Sequence, residues 1–67
     1  MTVRQALDHL GPWQVALALN GDEPWRKACR NQAYDSDDPA TTEAWRALAG
    51  ASPVHVRQVL AAERIVI

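Results

Sequence analysis

A single cysteine, Cys29, is the feature that most limits how this chain can fold. One thiol cannot form an internal disulfide, and 67 residues is close to the lower size limit for folding without disulfides or metal ions. Stability must therefore come from apolar packing, within the chain or against a partner chain. Hydrophobic residues make up 48% of the sequence and three of them are tryptophans, which suffices for one small core. We expect a single domain over residues 1–67.

The sequence also indicates where such a protein works. No apolar run approaches the roughly 20 residues that a membrane-spanning helix needs, so we expect no membrane partner. The N-terminal stretch MTVRQALDHL lacks the long apolar core of a signal peptide. Together with the free thiol, this favours a reducing, cytoplasmic location.

The net charge of −1 conceals an uneven distribution of charge. Residues 34–43 carry four acidic side chains and no basic one. Residues 1–33 carry four basic against three acidic side chains, and residues 44–67 carry three against one. Because the acidity is confined to one segment, the total charge does not exclude a nucleic-acid partner.

Capping residues and apolar spacings predict an all-α fold of four to five short helices. Residues 1–33 form a helical scaffold, residues 34–40 an acidic loop, residues 41–63 a helix-turn-helix, and residues 64–67 favour a short strand because they are β-branched. The expected starts are Thr2, Pro12, Asp22, either Asp38 or Thr41, and Ser52 with Pro53. The second helix is apolar on nearly every side, so we expect it to be buried at the centre.

The segment over residues 41–63 meets the requirements of a helix-turn-helix. In that motif the first helix ends on a small residue, a glycine of positive φ makes the turn, and a cap and apolar anchors follow. The residues that meet these needs are, in chain order, Ala49, Gly50, Ala51, Ser52, Pro53, Val56, Val59 and Leu60. The anchors should face the first helix of the motif.

The stretch GASPVHVRQVLAAERI resembles the helix-turn-helix of small phage excisionases and the MerR-like group. Ala49–Leu60 is also similar to the turn of LacI-type repressors. The resemblance implies a small sequence-specific DNA-binding regulator of phage or mobile-element type, which reads double-stranded DNA with the helix over residues 53–62. Ala6–Gly11 followed by Gln14–Leu19 is similar to Cro-like phage repressors, and we interpret that half as scaffold.

The outward side chains of the helix over residues 53–62 are the candidate base contacts. Gln pairs with adenine, Arg with guanine or phosphate, and His donates to either. The candidate DNA-binding residues are Val54, His55, Arg57 and Gln58, with Arg46 and Arg64 as flanking phosphate contacts. One short helix offers few contacts, so we expect a homodimer, paired through Arg64–Ile67 as Cro-type proteins are. An ordinary helical hairpin with a solvated outer face is the alternative interpretation.

A second basic stretch lies in the N-terminal half of the sequence. Trp25–Arg30 places three basic side chains near an aromatic ring, which suits either a nucleic-acid backbone or a solvated helix face.

The competing function is a helical miniprotein that docks on a host protein, with the three tryptophans as anchors.

No catalytic or metal-binding pattern stands out. Cys29 has no evident His partner, and His9 and His55 lack companions at metal-ligand spacing. The acidic residues 35–38 do not follow the spacing of a calcium loop. We therefore expect no enzyme, no cofactor and no bound metal.

Overall fold

The computed structural model describes residues 1–62, which form five α-helices and no strand. The helices are α1 (Val3–Leu10), α2 (Pro12–Asn20), α3 (Trp25–Asp35), α4 (Pro39–Ala49) and α5 (Pro53–Ala62). The prediction of an all-α fold is confirmed. The strand predicted over residues 64–67 lies outside the described residues. Within the described part, no helix is long and apolar enough to cross a bilayer.

Three helices begin where the capping residues predict. Thr2 forms a capping box with Gln5, because each side chain accepts a hydrogen bond from the other residue's amide. The side-chain oxygens of Asp38 and Ser52 each accept from the amide of the third residue of α4 and α5, at 3.2 and 3.1 Å. These short-range contacts satisfy N–H groups that a helix start leaves without partners.

Two predictions about the N-terminal half are wrong. Helix α3 does not start behind a cap at Asp22 but at Trp25, because Pro24 is extended (ψ 142°) and proline disfavours helical geometry in the residue before it. Helix α2 is not buried at the centre, since Trp13 and Leu17 are 68% and 69% exposed. Five short helices cannot surround α2 on all sides, and α4 takes the central place.

Helix α4 packs between α3 and α1. It runs antiparallel to α3, because the start of each helix meets the end of the other. At one end Trp25 Nε1 donates to the carbonyl oxygen of Leu48, at 3.1 Å. At the other end Thr42 Oγ1 donates to the carbonyl oxygen of Ala33, at 3.4 Å. Helices α3 and α4 therefore form an antiparallel hairpin, called the α3–α4 hairpin below.

All five helices contribute to the core. Its buried residues are Ala6, Leu7, Val15, Cys29, Ala33, Ala44, Trp45, Leu48, Val56 and Leu60. Burial raises the pKa of the Cys29 thiol to about 12, so the thiol is protonated at neutral pH and packs as a small apolar group.

Candidate nucleic-acid interface

The corner between α4 and α5 is built differently from the sequence prediction. Gly50 has φ −80° and ψ −9°, so the prediction of a positive φ at this glycine is wrong. Hydrogen bonds close the corner instead: the amide of Ala51 donates to the carbonyl oxygen of Leu48 at 3.0 Å. The indole Nε1 of Trp25 donates to the carbonyl oxygens of both Leu48 and Ala51, at 3.1 and 3.0 Å. An α3 side chain thus fixes the direction in which α5 leaves α4.

Helix α5 presents its predicted outer side to solvent. Val56 and Leu60 are fully buried and Val59 is half-buried, as the apolar spacing predicts. Helix α5 packs on α1, and its anchors share the core cluster with Leu48 of α4, the helix against which the sequence prediction placed them. The exposed candidate residues of α5 are Val54, His55, Arg57 and Gln58. Of these, Val54 is 64% exposed.

Arg57 is exposed but already engaged within the chain. Its guanidinium donates to the carbonyl oxygen of Leu19 at 3.2 Å and to Oδ1 of Asn20 at 3.4 Å. Both acceptors lie at the C-terminal end of α2, where carbonyls lack helical partners and a cation is favoured. Arg57 therefore ties α5 to α2. A guanidinium has five N–H donors, so some remain available to a second partner.

Three exposed arginines of the α3–α4 hairpin lie beside the corner. Arg26 lines a groove together with the corner residues 49–53. Arg30 and Arg46 line the neighbouring groove with Tyr34, and Ala49 borders both grooves. We call Arg26, Arg30 and Arg46 the groove arginines. The predicted phosphate contact Arg46 is thus on this surface, whereas Arg64 lies outside the described residues.

The groove arginines have no acidic partner among residues 1–62. Their neighbour Lys27, by contrast, pairs with Glu23 one turn earlier in the chain, at 3.3 Å. Guanidinium groups without a carboxylate are free to bind an external anion, and they match the oxygens of a phosphate well.

The acidic side chains collect at the other end of the hairpin. The connection there consists of residues 36–38, shorter than the predicted acidic loop of residues 34–40, because α3 continues through Asp35. Asp38 caps α4, and its hydrogen bonds from Thr41 hold the pKa of its carboxyl below the usual value. His9 Nε2 lies 3.5 Å from Asp38 Oδ2. Within the hairpin the carboxylates therefore cluster at the connection, whereas Arg26 lies at the corner where α5 starts and Arg30 lies midway along α3.

Comparison with protein-family models, with curated proteins and with solved structures gives no match. The resemblance to phage-type helix-turn-helix regulators stays a prediction. Within residues 1–62, no three His, Cys, Asp or Glu side chains come together as ligands for a metal ion.

The three tryptophans lie in different environments. Trp45 is 4% exposed and belongs to the core. Trp25 is half-buried, with its indole N–H bonded at the corner. Trp13 is exposed, next to the exposed Leu17 one turn along α2. Two of the three predicted anchors are therefore structural, and a protein-docking surface on tryptophan would have to use α2.

Sequence reasoning identified the basic stretch Trp25–Arg30 but did not foresee that Trp25 bonds to the corner. Trp25 and Cys29 lie four residues apart and face inward, and the residues that follow each of them, Arg26 and Arg30, are exposed. The four-residue spacing, which places side chains on one face of a helix, was the available signal. The exposure of Arg26 and Arg30 fits both interpretations of this stretch, and neither of them indicated that α4 adds Arg46 to the same surface.

Proposed function

We propose that the protein is a small cytoplasmic regulator that binds double-stranded DNA with the outer side of α5 in the major groove. One observation carries the proposal: the exposed face of α5, a helix without an acidic residue, begins at the corner where Arg26 lines a groove with residues 49–53. Gln58 can pair with an adenine, and His55 can donate to a base or a phosphate. Val54 can contact a thymine methyl group.

Charge supports this orientation on DNA. Arg26 lies beside the start of α5 and Arg46 lies about one turn before the end of α4, and both would contact phosphates next to the groove. The acidic loop at residues 36–38 lies at the far end of the hairpin, away from the duplex. Arg57 keeps its bonds to α2 and turns its remaining donors to the DNA.

We infer that the DNA-bound form is a homodimer. One short helix makes too few base contacts for tight specific binding, and a dimer doubles them on a two-fold symmetric site. The segment predicted to pair two copies, Arg64–Ile67, lies outside the described residues. Sedimentation should show a dimer at high micromolar concentration, and a monomer there would contradict this part of the proposal.

The test of DNA binding is selection of bound duplexes from a random pool, followed by fluorescence anisotropy with variants. Gln58→Ala should lose discrimination at one base pair by about 1–3 kcal/mol. Arg46→Ala should weaken binding to all sequences and reduce the salt dependence by about one counterion. Gln32→Ala, an exposed glutamine on α3, is the matched control and should bind as the unaltered protein does.

Two outcomes would contradict the proposal. Failure to retain any duplex at low salt would exclude DNA binding by this face. Equal behaviour of the Gln58 and Gln32 variants would place the interface elsewhere. Arg57→Ala is a poor test of DNA contact, because the substitution also removes the hydrogen bonds between α5 and α2.

The competing proposal is a protein-docking role for α2. Trp13 and Leu17 are exposed one turn apart on this helix, which is the spacing of an apolar anchor pair. Such a contact would persist at salt concentrations that abolish DNA binding. A photo-cross-linking amino acid at position 13 should then label a single host protein in cells, and labelling should disappear with Leu17→Ser.

A further inference from the structure

One side of α3 carries a row of three exposed side chains. Arg26, Arg30 and Tyr34 follow one another at intervals of four residues, and all three are exposed. Each interval advances the helix by about 6 Å and returns the side chain to nearly the same side. The row lies along the groove between α3 and α4, into which α4 contributes Arg46.

This row is unfavourable in the isolated protein. Arg26 and Arg30 repel each other, since like charges four residues apart on a helix destabilise it. Arg46 adds a third positive charge, and no carboxylate of residues 1–62 pairs with any of them. The ring of Tyr34 is 90% exposed, so its apolar faces contribute little to the core. A ligand with negative charge and a flat apolar ring would compensate for both features.

We propose that the groove between α3 and α4 binds single-stranded nucleic acid. Phosphates of the strand pair with Arg30 and Arg46, and an unpaired base stacks on Tyr34. The other lining residues, Ala33 and Ala49, are small and leave the guanidiniums and the ring accessible.

The chemistry favours a single strand over the other anions that arginine binds. A duplex keeps its bases stacked on one another, so only an unpaired base offers a face to Tyr34. An acidic peptide would use the arginines but leave the tyrosine ring uncovered. Arg46 also belongs to the proposed duplex contact, so Arg30 and Tyr34 of α3 are the residues that distinguish this site from duplex reading by α5.

The experiment measures binding of the full chain to a fluorescein-labelled oligo(dT) of about 12 nucleotides by anisotropy, across a series of salt concentrations. Tyr34→Ala should weaken binding by about 5- to 150-fold, because one stacked base is lost. Tyr34→Phe should retain it. Arg30→Gln should lower the slope of log affinity against log salt by about 0.7. Gln32→Ala, at an exposed α3 side chain that does not line the groove, is the control and should leave oligo(dT) binding unchanged.

Several results would overturn the proposal. One is failure to bind oligo(dT) at low salt, and another is equal affinity of Tyr34→Ala and the unaltered protein. A third is displacement of oligo(dT) by a poly-glutamate peptide of the same length at equal concentration, which would assign the groove to acidic peptides. A fourth is that Tyr34→Ala weakens binding to a blunt duplex as much as it weakens binding to oligo(dT). That result would show that Tyr34 contacts the nucleic-acid backbone and does not stack on a base.

The two proposals fail separately. Loss of duplex selectivity in Gln58→Ala tests α5 alone, and loss of oligo(dT) affinity in Tyr34→Ala tests the groove alone. Circular dichroism of each variant confirms that the fold is intact, which the exposure of both side chains leads us to expect.

Discussion

Replacing Trp25 with phenylalanine tests whether its indole fixes the corner between α4 and α5. The substitution keeps an aromatic ring but removes the Nε1–H that donates to the carbonyl oxygens of Leu48 and Ala51. Loss of this hydrogen bond costs about 0.5–1.5 kcal/mol. The smaller ring removes roughly 40 Å² of apolar surface, about half of it buried, which costs about 0.5 kcal/mol. The free energy of unfolding should therefore fall by about 1–2 kcal/mol.

The expected loss is large relative to the total free energy of unfolding. A domain of this size has a free energy of unfolding on the order of 3–10 kcal/mol. Each kcal/mol shifts the melting temperature of a small domain by roughly 4–8 °C, so Trp25→Phe should lower it by about 4–16 °C. Urea and thermal unfolding followed by far-ultraviolet circular dichroism measure both quantities.

Trp13→Phe is the matched control, because it makes the same chemical change at a side chain that is 68% exposed. Trp13→Phe should change the free energy of unfolding by no more than about 0.5 kcal/mol. If the two variants melted at the same temperature, the indole N–H of Trp25 would not be what holds the corner. The direction of α5 would then have to come from its packing on α1.

Two further predictions concern the backbone and pH. Gly11→Ala should lower the free energy of unfolding by about 1–3 kcal/mol, since φ 85° and ψ 139° strain any other residue although its Cβ meets no atom within 4 Å. Gly50→Ala, at φ −80°, should be neutral or slightly stabilising in the same urea unfolding experiment, and equal losses at both sites would contradict this. Hydrogen bonds from Thr41 lower the pKa of Asp38 in the folded protein. The contribution of this cap to the free energy of unfolding should therefore be complete above the unfolded pKa of about 3.9. It should disappear as the pH falls through the lower folded pKa. Urea unfolding from about pH 3 to 7 should show a weaker acid dependence in Asp38→Asn but not in the neighbouring Asp37→Asn, and parallel curves for both variants would refute the assignment.

The helix starts were predictable because adjacent residues decide them. A capping side chain reaches an amide only three positions away, so Thr2, Asp38 and Ser52 act much as they would in a peptide. The start of α3 was missed where two local signals competed, and the restriction imposed by Pro24 outweighed the cap offered by Asp22.

The corner could not be predicted from its own residues. The motif requires a glycine of positive φ, but here a tryptophan 26 residues before Ala51 holds the corner by hydrogen bonds, and Gly50 stays in the ordinary helical region. Such a long-range contact depends on how α3 lies against α4, and no local pattern in the sequence encodes that.

The candidate site was predictable in part. The exposure of Val54, His55 and Gln58 follows from the helical period and the burial of the alternate face. Periodicity does not show which helix end lies nearby, so the engagement of Arg57 with α2 was not foreseen. It also does not show that Arg46 joins a row of side chains on another helix.

The segregation of charge along the α3–α4 hairpin has a consequence for the rate of encounter. Each helix of 11 residues is about 16 Å long, so the carboxylates at the connection lie about that far from Arg26 at the corner. For the polyanionic ligand that we propose, the field would attract the corner end of the hairpin and repel the connection during approach. Such alignment acts over about a Debye length, roughly 10 Å at 0.1 M salt, so the fraction of correctly oriented collisions should be largest in dilute buffer.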